Sequence, residues 1–437
     1  MIQLNIKNIQ NVLMHTKLIA FVSSLRRAIF RLPNLVSPVQ EAELVAIRVI
    51  YGQSNAVGSI PGSVSRPIYQ VNPWPEALWM PNTGIRMGLP RGGALIRLCP
   101  DDTQGFTPLV SQSSVSGRHG TTIAEGASFQ VCAYWARESK RVPKSVVINL
   151  GWGGRSIKAL SPGSALYEDA QMAISRVCGL LEAHGFIPYV EYVDFDQGEA
   201  DSTSRQWSDD VIKLRDDFNA DVMRRTKQEV EIPWLLTQPS SFRVGASEMV
   251  RCQYALCKSR PREFIQTGPS YHLRYQQDLL HRREGSHALK GEFNGLCVAR
   301  VLYQKRLNAT LQWNSVKYDA ETQILRLIPS ITVTRDRKIK DPGNWGFNVY
   351  DGAGKEIPIM AVRISNKGRY VDLKMSTSVE PGIHRSVDYA INSRHVHERK
   401  WRNSIPRGQI RTRHPFGTSY HERLPLYAYM PHSREYF

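Results

Sequence analysis

Cysteine is scarce: Cys99, Cys132, Cys178, Cys252, Cys257 and Cys297 are the six in 437 residues. No two of them form a Cys-x-x-Cys pair, and no spacing matches a zinc centre. Cys252 and Cys257 are five apart, which does not bring them together on a helix face. The thiols read as small buried hydrophobes of a chain made in a reducing compartment, with a later extracellular role left open. Long apolar runs are missing too. Leu18-Ile19-Ala20-Phe21-Val22 is too short to span a bilayer and is soon followed by Arg26, Arg27 and Arg31. No small-residue cleavage site follows, so the segment reads as an amphipathic helix or loose extension, with a weak signal peptide or interfacial helix as the alternative. There is no internal repeat and no low-complexity tract. Acidic residues are under-represented: 39 Asp+Glu face 57 Lys+Arg, a net charge of +18. That balance points to an anionic partner. The basic residues are not gathered with aromatics in one block except near the C-terminus, so nucleic acid is not the expected partner.

What the chain does contain is ordinary globular material, 41% hydrophobic and 22% charged, in a length that exceeds one core. Residues 1–40 form an extension closed by Pro33 and Pro38. From residue 41 strands and helices alternate. Strands are expected at 45–50, 146–150, 189–195, 234–237 and 264–265, and helices at 164–183, 206–226, 246–258 and 289–303. The helix opening at Ser164 carries Ala170, Ala173, Ile174, Val177 and Leu181 at helical spacing and stops at His184-Gly185. Such alternation predicts an α/β domain with a parallel sheet covered on both faces, ending near residue 308. Residues 59–125, rich in Pro, Gly and Ser, read as loops over the functional edge, with Asn82 and Glu125 as candidate substrate contacts. After residue 309 short β-rich runs separated by turn signals predict an all-β, sandwich-like accessory module extending to 437, with a basic, aromatic C-terminal segment.

The most informative segment is Tyr51-Gly52-Gln53-Ser54-Asn55-Ala56-Val57-Gly58, directly after the apolar run 45–50. It places one hydroxyl, Ser54, at the C-terminal edge of a sheet, where open α/β sheets bind ligands. Gly52 permits a tight turn, and Gln53 and Asn55 flank the hydroxyl with amides. A serine so placed is a candidate nucleophile that needs a base and an oxyanion site. Three further blocks stand at later strand ends. Gly151-Trp152-Gly153-Gly154-Arg155-Ser156 can expose backbone N–H groups. Asp196-Gln197-Gly198-Glu199-Ala200-Asp201 offers the Gln197 amide. Glu284-Gly285-Ser286-His287 offers an imidazole as base with a carboxylate three residues upstream to orient it.

Four blocks of this kind, in this order over residues 44–305, resemble SGNH-type hydrolases, nearest to the sialate O-acetylesterase and acetyl xylan esterase group. The resemblance implies a flavodoxin-like three-layer α/β/α domain that removes acetyl groups from carbohydrate without metal or cofactor. It implies Ser54 as nucleophile, His287 as base, and an oxyanion hole of the Ser54 N–H, the Gly154 (or Gly153) N–H and Gln197. The family pattern has Asp three residues before the histidine, whereas Glu284 carries one more methylene. Asp278-Leu279-Leu280-His281 is a competing acid-x-x-His. Glu284–His287 is preferred because Gly285 suggests a loop and a closing helix follows from Leu289; a Ser–His dyad would make Glu284 less important.

Each residue has a plainer reading. Ser54 can cap a helix. Glu199 and Asp201 fit a structural task, hydrogen-bonding backbone amides and the Gly-Gln-Ser-Asn turn. Gly153 and Gly154 can be only a turn, and Trp152 and Arg155 can line a pocket or merely pack. His395, His397, His414 and His421 lack a rigid ligand spacing and read as part of a solvated basic tail rather than a metal site. The expected partner is acetylated carbohydrate, and the positive charge favours an acidic polysaccharide. No stable membrane insertion is expected, and the cellular destination is not given. The rival class is a non-catalytic carbohydrate-binding or phage-type virion protein that keeps the fold without turnover, and a lipase-like hydrolase is disfavoured by the absence of an apolar lid.

Overall fold

The computed structural model describes residues 42–58, 67–87, 100–111, 120–243, 247–379, 384–392 and 403–437. The expectations for residues 1–40, Cys99, His395 and His397 lie outside these. Glu43–Phe437 form one compact unit.

The chain begins this unit with strand β1 (Leu44–Gly52) and a single helical turn α1 (Ser54–Val57). Next come β2 (Leu78–Pro81), β3 (Phe106–Pro108), α2 (Ile123–Arg137), β4 (Ser145–Asn149) and α3 (Ala165–Ala183). Then follow β5 (Ile187–Asp196), α4 (Trp207–Thr226), β6 (Trp234–Gln238), the short β7 (Phe242–Arg243), α5 (Glu248–Ser259), β8 (Phe264–Pro269) and α6 (Glu284–Val298). The main sheet has seven strands in the order β3-β2-β4-β1-β5-β6-β8, parallel except for β3. Around β1 the order β4-β1-β5-β6-β8 is that of a doubly wound sheet whose direction of growth reverses between β1 and β5.

Side chains alternate across β1, which is why both of its faces are apolar. Val45, Ile47, Val49 and Tyr51 join one core with Ile174 and Val177 of α3 and Leu214 and Phe218 of α4. Ile50 joins another with Val147 and with Ile123, Ala124 and Phe129 of α2. At its start, α3 is capped by Ser164, whose hydroxyl accepts the Tyr167 N–H at 3.2 Å; it ends at His184, before Gly185 in the left-handed region at φ +78°. Helices α2 and α6 cross closely because Gly126, Gly291 and Gly295 lie at the contact; a Cβ on Gly291 would overlap the Ile123 carbonyl. An exception to the apolar run of β1 is Arg48, 1% exposed, whose Nε donates to Glu191 at 2.8 Å.

Beyond residue 309 two four-stranded antiparallel sheets form. One pairs 313–319, 324–329, 370–375 and 359–365; the other pairs 356–357, 347–350, 386–389 and 433–436. Their inner residues, among them Leu325, Leu373, Val349 and Tyr389, share one buried cluster with Tyr192, Leu235, Tyr254 and Val298 of the α/β half. In the C-terminal segment Ile405, Ile410, Ala428, Met430 and His432 are buried, whereas His414 and His421 are exposed. No helix among the described residues is long and apolar enough to cross a membrane.

Candidate active site

The turn that carries Ser54 is fixed at the β1/β5 switch point. Gly52, at φ +129°, lies against Asp196, whose carbonyl oxygen a Cβ there would overlap. The Gln53 N–H donates to that same carbonyl at 2.9 Å. Gln53, rather than Ser54, occupies the cap position of α1, and the N–H groups of Ala56 and Val57 return to its carbonyl. Ser54 is the first residue of α1, so its own N–H has no partner inside the helix. Ser54 stays partly exposed at the sheet edge while Gln53 and Asn55 are buried.

The flanking amides hold loops together. Gln53 Oε1 accepts the N–H groups of Gly198 and Ala200 at 3.4 and 3.2 Å. Asn55 Nδ2 donates to Glu199 Oε1 at 2.9 Å and to the Leu280 carbonyl at 3.2 Å, and Asn55 Oδ1 accepts the Arg282 N–H at 3.2 Å. Asp201 accepts the Ile157 N–H at 3.0 Å. The 151–157 loop is tied in through the Trp152 N–H, which donates to the Gly52 carbonyl at 2.9 Å. Within it Gly153 and Gly154 are exposed, Gly154 at φ +67°. Among the described residues, no atom beyond the chain neighbours lies within 4 Å of where a Cβ on either glycine would stand. Gln197 does not suit the oxyanion role expected of it. Its Nε2 donates to the Arg155 carbonyl at 3.3 Å and to Asp201, and its Oε1 accepts from Trp207 Nε1 at 3.0 Å. Both amide hydrogens are committed inside the scaffold.

The two acid-x-x-His pairs are separated by their surroundings. Helix α6 begins at Glu284, so Gly285 is helical and Glu284 and His287 lie on its first turn instead of in a loop. Glu284 Oε1 accepts from Thr121 Oγ1 at 2.9 Å, which gives its carboxylate a partner other than the imidazole. His287 is fully buried. The loop at Gly285 on which the preference for Glu284–His287 rested is not there, since the chain is helical at that point. Asp278–His281 instead has the loop. The segment is closed by the Tyr275–Arg282 bridge and by the Gln276 N–H to the His281 carbonyl at 2.8 Å. Asp278 Oδ1 accepts the N–H groups of Leu280 and His281 at 2.9 and 3.0 Å, an Asx turn, and its Oδ2 meets His281 Nδ1 at 2.6 Å. The His281 side chain is about a fifth exposed, at 21%. Burial would push the Asp278 carboxyl up, but the ring and the two N–H groups overcome this and hold it below its ordinary value. The Asn55 side chain bonds to the residues on either side of His281, so the imidazole is carried next to the Ser54 turn.

The sequence reading missed Arg282. It is 2% exposed, and its guanidinium donates to Asp196, to the Asn55 carbonyl at 3.2 Å and to Ser270 Oγ at 3.2 Å. Breaking such a buried pair by removing one partner costs about 3–5 kcal/mol. Its one sequence signal was its position directly after His281, too weak because arginine is exposed by default. Nearby carboxyls bear the cost of burial: Glu199 is pushed up to about 7, first by desolvation and then by Asp196, and Asp194 to about 7 by desolvation. Of the guessed substrate contacts, Glu125 is buried in a capping box with Thr122, and Asn82 accepts the Gln104 N–H at 3.2 Å in a turn. Among the described residues no group of three or more His, Cys, Asp or Glu is placed to hold a metal ion.

No family model matches the chain, and no curated protein matches it in sequence. Solved structures do. A carbohydrate acetylesterase from Xanthomonas citri superposes with a TM-score of 0.54 at 14% identity, over 89% of this chain and 80% of that one. NanS gives a TM-score of 0.40 at 12% identity, over 62% of this chain and 100% of the other. A carbohydrate acetylesterase from Sinorhizobium meliloti gives 0.33 at 12% identity, over 59% and 99%. The likeness to the Xanthomonas citri structure shows a shared fold across both halves of the chain.

Proposed function

We propose that the chain is a serine esterase that removes O-acetyl groups from carbohydrate, with Ser54 as nucleophile, His281 as base and Asp278 as the group that orients it. The observation that carries this is the Asp278–His281 pair at 2.6 Å, on a loop bonded to the Ser54 turn through Asn55. The Asp278 carboxylate fixes the tautomer with the proton on Nδ1, leaving Nε2 to act as base. Ser54 Oγ attacks the acetyl carbonyl carbon while His281 takes its proton. The carbonyl oxygen becomes an oxyanion held by the N–H groups of Ser54 and Gly154 (or Gly153). Collapse breaks the bond to the sugar oxygen, which receives the proton from His281. Water, deprotonated by His281, then attacks the acetyl-serine; the bond to Ser54 Oγ breaks, that oxygen takes the proton back from His281, and acetate is released.

The acetyl-carbohydrate assignment is supported by the shared fold with a carbohydrate acetylesterase, and the net charge of +18 favours an acidic polysaccharide. The direct test is hydrolysis of p-nitrophenyl acetate. Ser54→Ala abolishes turnover with native circular dichroism, and His281→Ala and Asp278→Asn lower kcat by about 10²–10⁴-fold. Turnover retained in Ser54→Ala ends the esterase reading. Unimpaired His281→Ala returns the base to another histidine.

A further inference from the structure

The β-rich half reaches the back of the site through its last strand region. Gln238, at the end of β6, clips the backbone of His432: its Oε1 accepts the His432 N–H at 2.8 Å and its Nε2 donates to the His432 carbonyl at 2.9 Å. Tyr271 Oη donates to the Met430 carbonyl at 2.8 Å, and the His272 ring stacks on Tyr429 at 4.0 Å between centroids. So residues 429–432 grip residues 270–272, the segment from which the Asp278–His281 loop departs.

Resting on the assignment of Ser54 and His281, we propose that His432 is a positioning residue for the catalytic loop, acting through an unbroken run of hydrogen bonds that ends on Arg282 and Asn55. The direction of each bond follows from its atoms. His432 Nδ1 lies 2.5 Å from the Ala390 carbonyl, which only accepts, so Nδ1 carries the proton. Burial pushes the ring's pKa down to about 4, so the imidazole is neutral and Nε2 is an acceptor. Ser240 Oγ, 3.0 Å from Nε2, therefore donates to it. The same Ser240 oxygen accepts the Ser270 N–H at 2.8 Å, and Ser270 Oγ accepts from Arg282 Nη1 at 3.2 Å. Arg282 closes the run on both halves of the site. Its N–H and guanidinium reach Asn55, beside Ser54, and its backbone follows directly on His281.

A loop held this way loses alignment, and not substrate affinity, when the run is cut. Misplacement by an ångström at a reacting pair is enough to cost rate steeply. The experiment uses the full chain with p-nitrophenyl acetate and a fluorophosphonate probe whose site of attachment is read by mass spectrometry. His432→Leu, similar in bulk but without hydrogen bonds, and Ser240→Ala are each expected to lower kcat and the rate of Ser54 labelling about tenfold, with KM unchanged. The double variant falls no further, because both substitutions cut the same run. His432→Gln, whose amide oxygen can still accept from Ser240, recovers part of the rate. Should His432→Leu fail to fold, Ser240→Ala, which removes a single hydroxyl, decides the matter. Parent-like kcat and labelling in folded Ser240→Ala overturn the proposal while the esterase reading stands. Failure of the probe to label Ser54 in the parent overturns the esterase reading, and this proposal with it.

Discussion

Amide and carboxyl side chains around Ser54 divide into those that react and those that hold. Gln53, Asn55, Gln197, Glu199 and Asp201 spend their hydrogen bonds on the scaffold: their partners are backbone groups of the neighbouring loops, the Trp207 indole, or one another. Glu199 illustrates the cost. Desolvation and the neighbouring Asp196 charge push its pKa from 4.5 up to about 7. A carboxyl raised in the folded state contributes stability that is complete below its unfolded pKa and is lost as pH rises through the folded one. Glu199→Gln keeps the acceptor that Asn55 uses and removes the ionisation. The expected outcome is a shallower fall in the unfolding midpoint between about pH 5 and about pH 8 than in the parent, measured by thermal denaturation in a pH series. A fall as steep as the parent's assigns the penalty to another group, with Asp194 the first to try.

Among the elements, the α2–α6 pair does most to place the site's rear wall. Helix α2 starts at the Thr122 cap, one residue after Thr121 bonds Glu284, and α6 starts at Glu284 just beyond the Asp278–His281 loop. The helices approach backbone to backbone because Gly126, Gly291 and Gly295 have no side chain to separate them. Gly291→Ala forces the helices apart at Ile123, since backbone, unlike a flexible side-chain end, cannot yield locally. It is expected to destabilise by about 1–3 kcal/mol, read as a lowered denaturant midpoint at unchanged slope. Gly285→Ala, on the same helix with no atom near its would-be Cβ, is the control and is expected not to destabilise.

Taken as a whole, residues 43–437 share buried surface across the line near residue 308 where the composition shifts. Tyr254 donates to Glu435 at 2.9 Å and accepts the Trp313 N–H at 3.1 Å, and Glu292 of α6 accepts the N–H groups of Tyr420 and His421 at 2.9 and 2.8 Å. One apolar cluster crosses that boundary, so unfolding either half alone would expose it. Thermal unfolding of the full chain is expected to show one transition with coincident near- and far-ultraviolet signals. Two separated transitions would show that the halves are independently stable.

Legible in the sequence were features that depend on neighbours along the chain. The strand–helix alternation, the Ser164 cap and Gly185 stop of α3, and the strand end at Gly52 were readable because each follows from spacing and turn chemistry within a few residues. So was the crowding of polar groups at four strand ends. The proposed choice of Asp278–His281 over Glu284–His287 was not. Both have the same spacing, and what separates them is that Asn55, more than two hundred residues away, bonds the flanks of one and not the other. Arg282 and the commitment of Gln197 to Asp201 were likewise invisible. Burial of a polar side chain is settled by the partners that the tertiary fold delivers, and no local pattern encodes who they are.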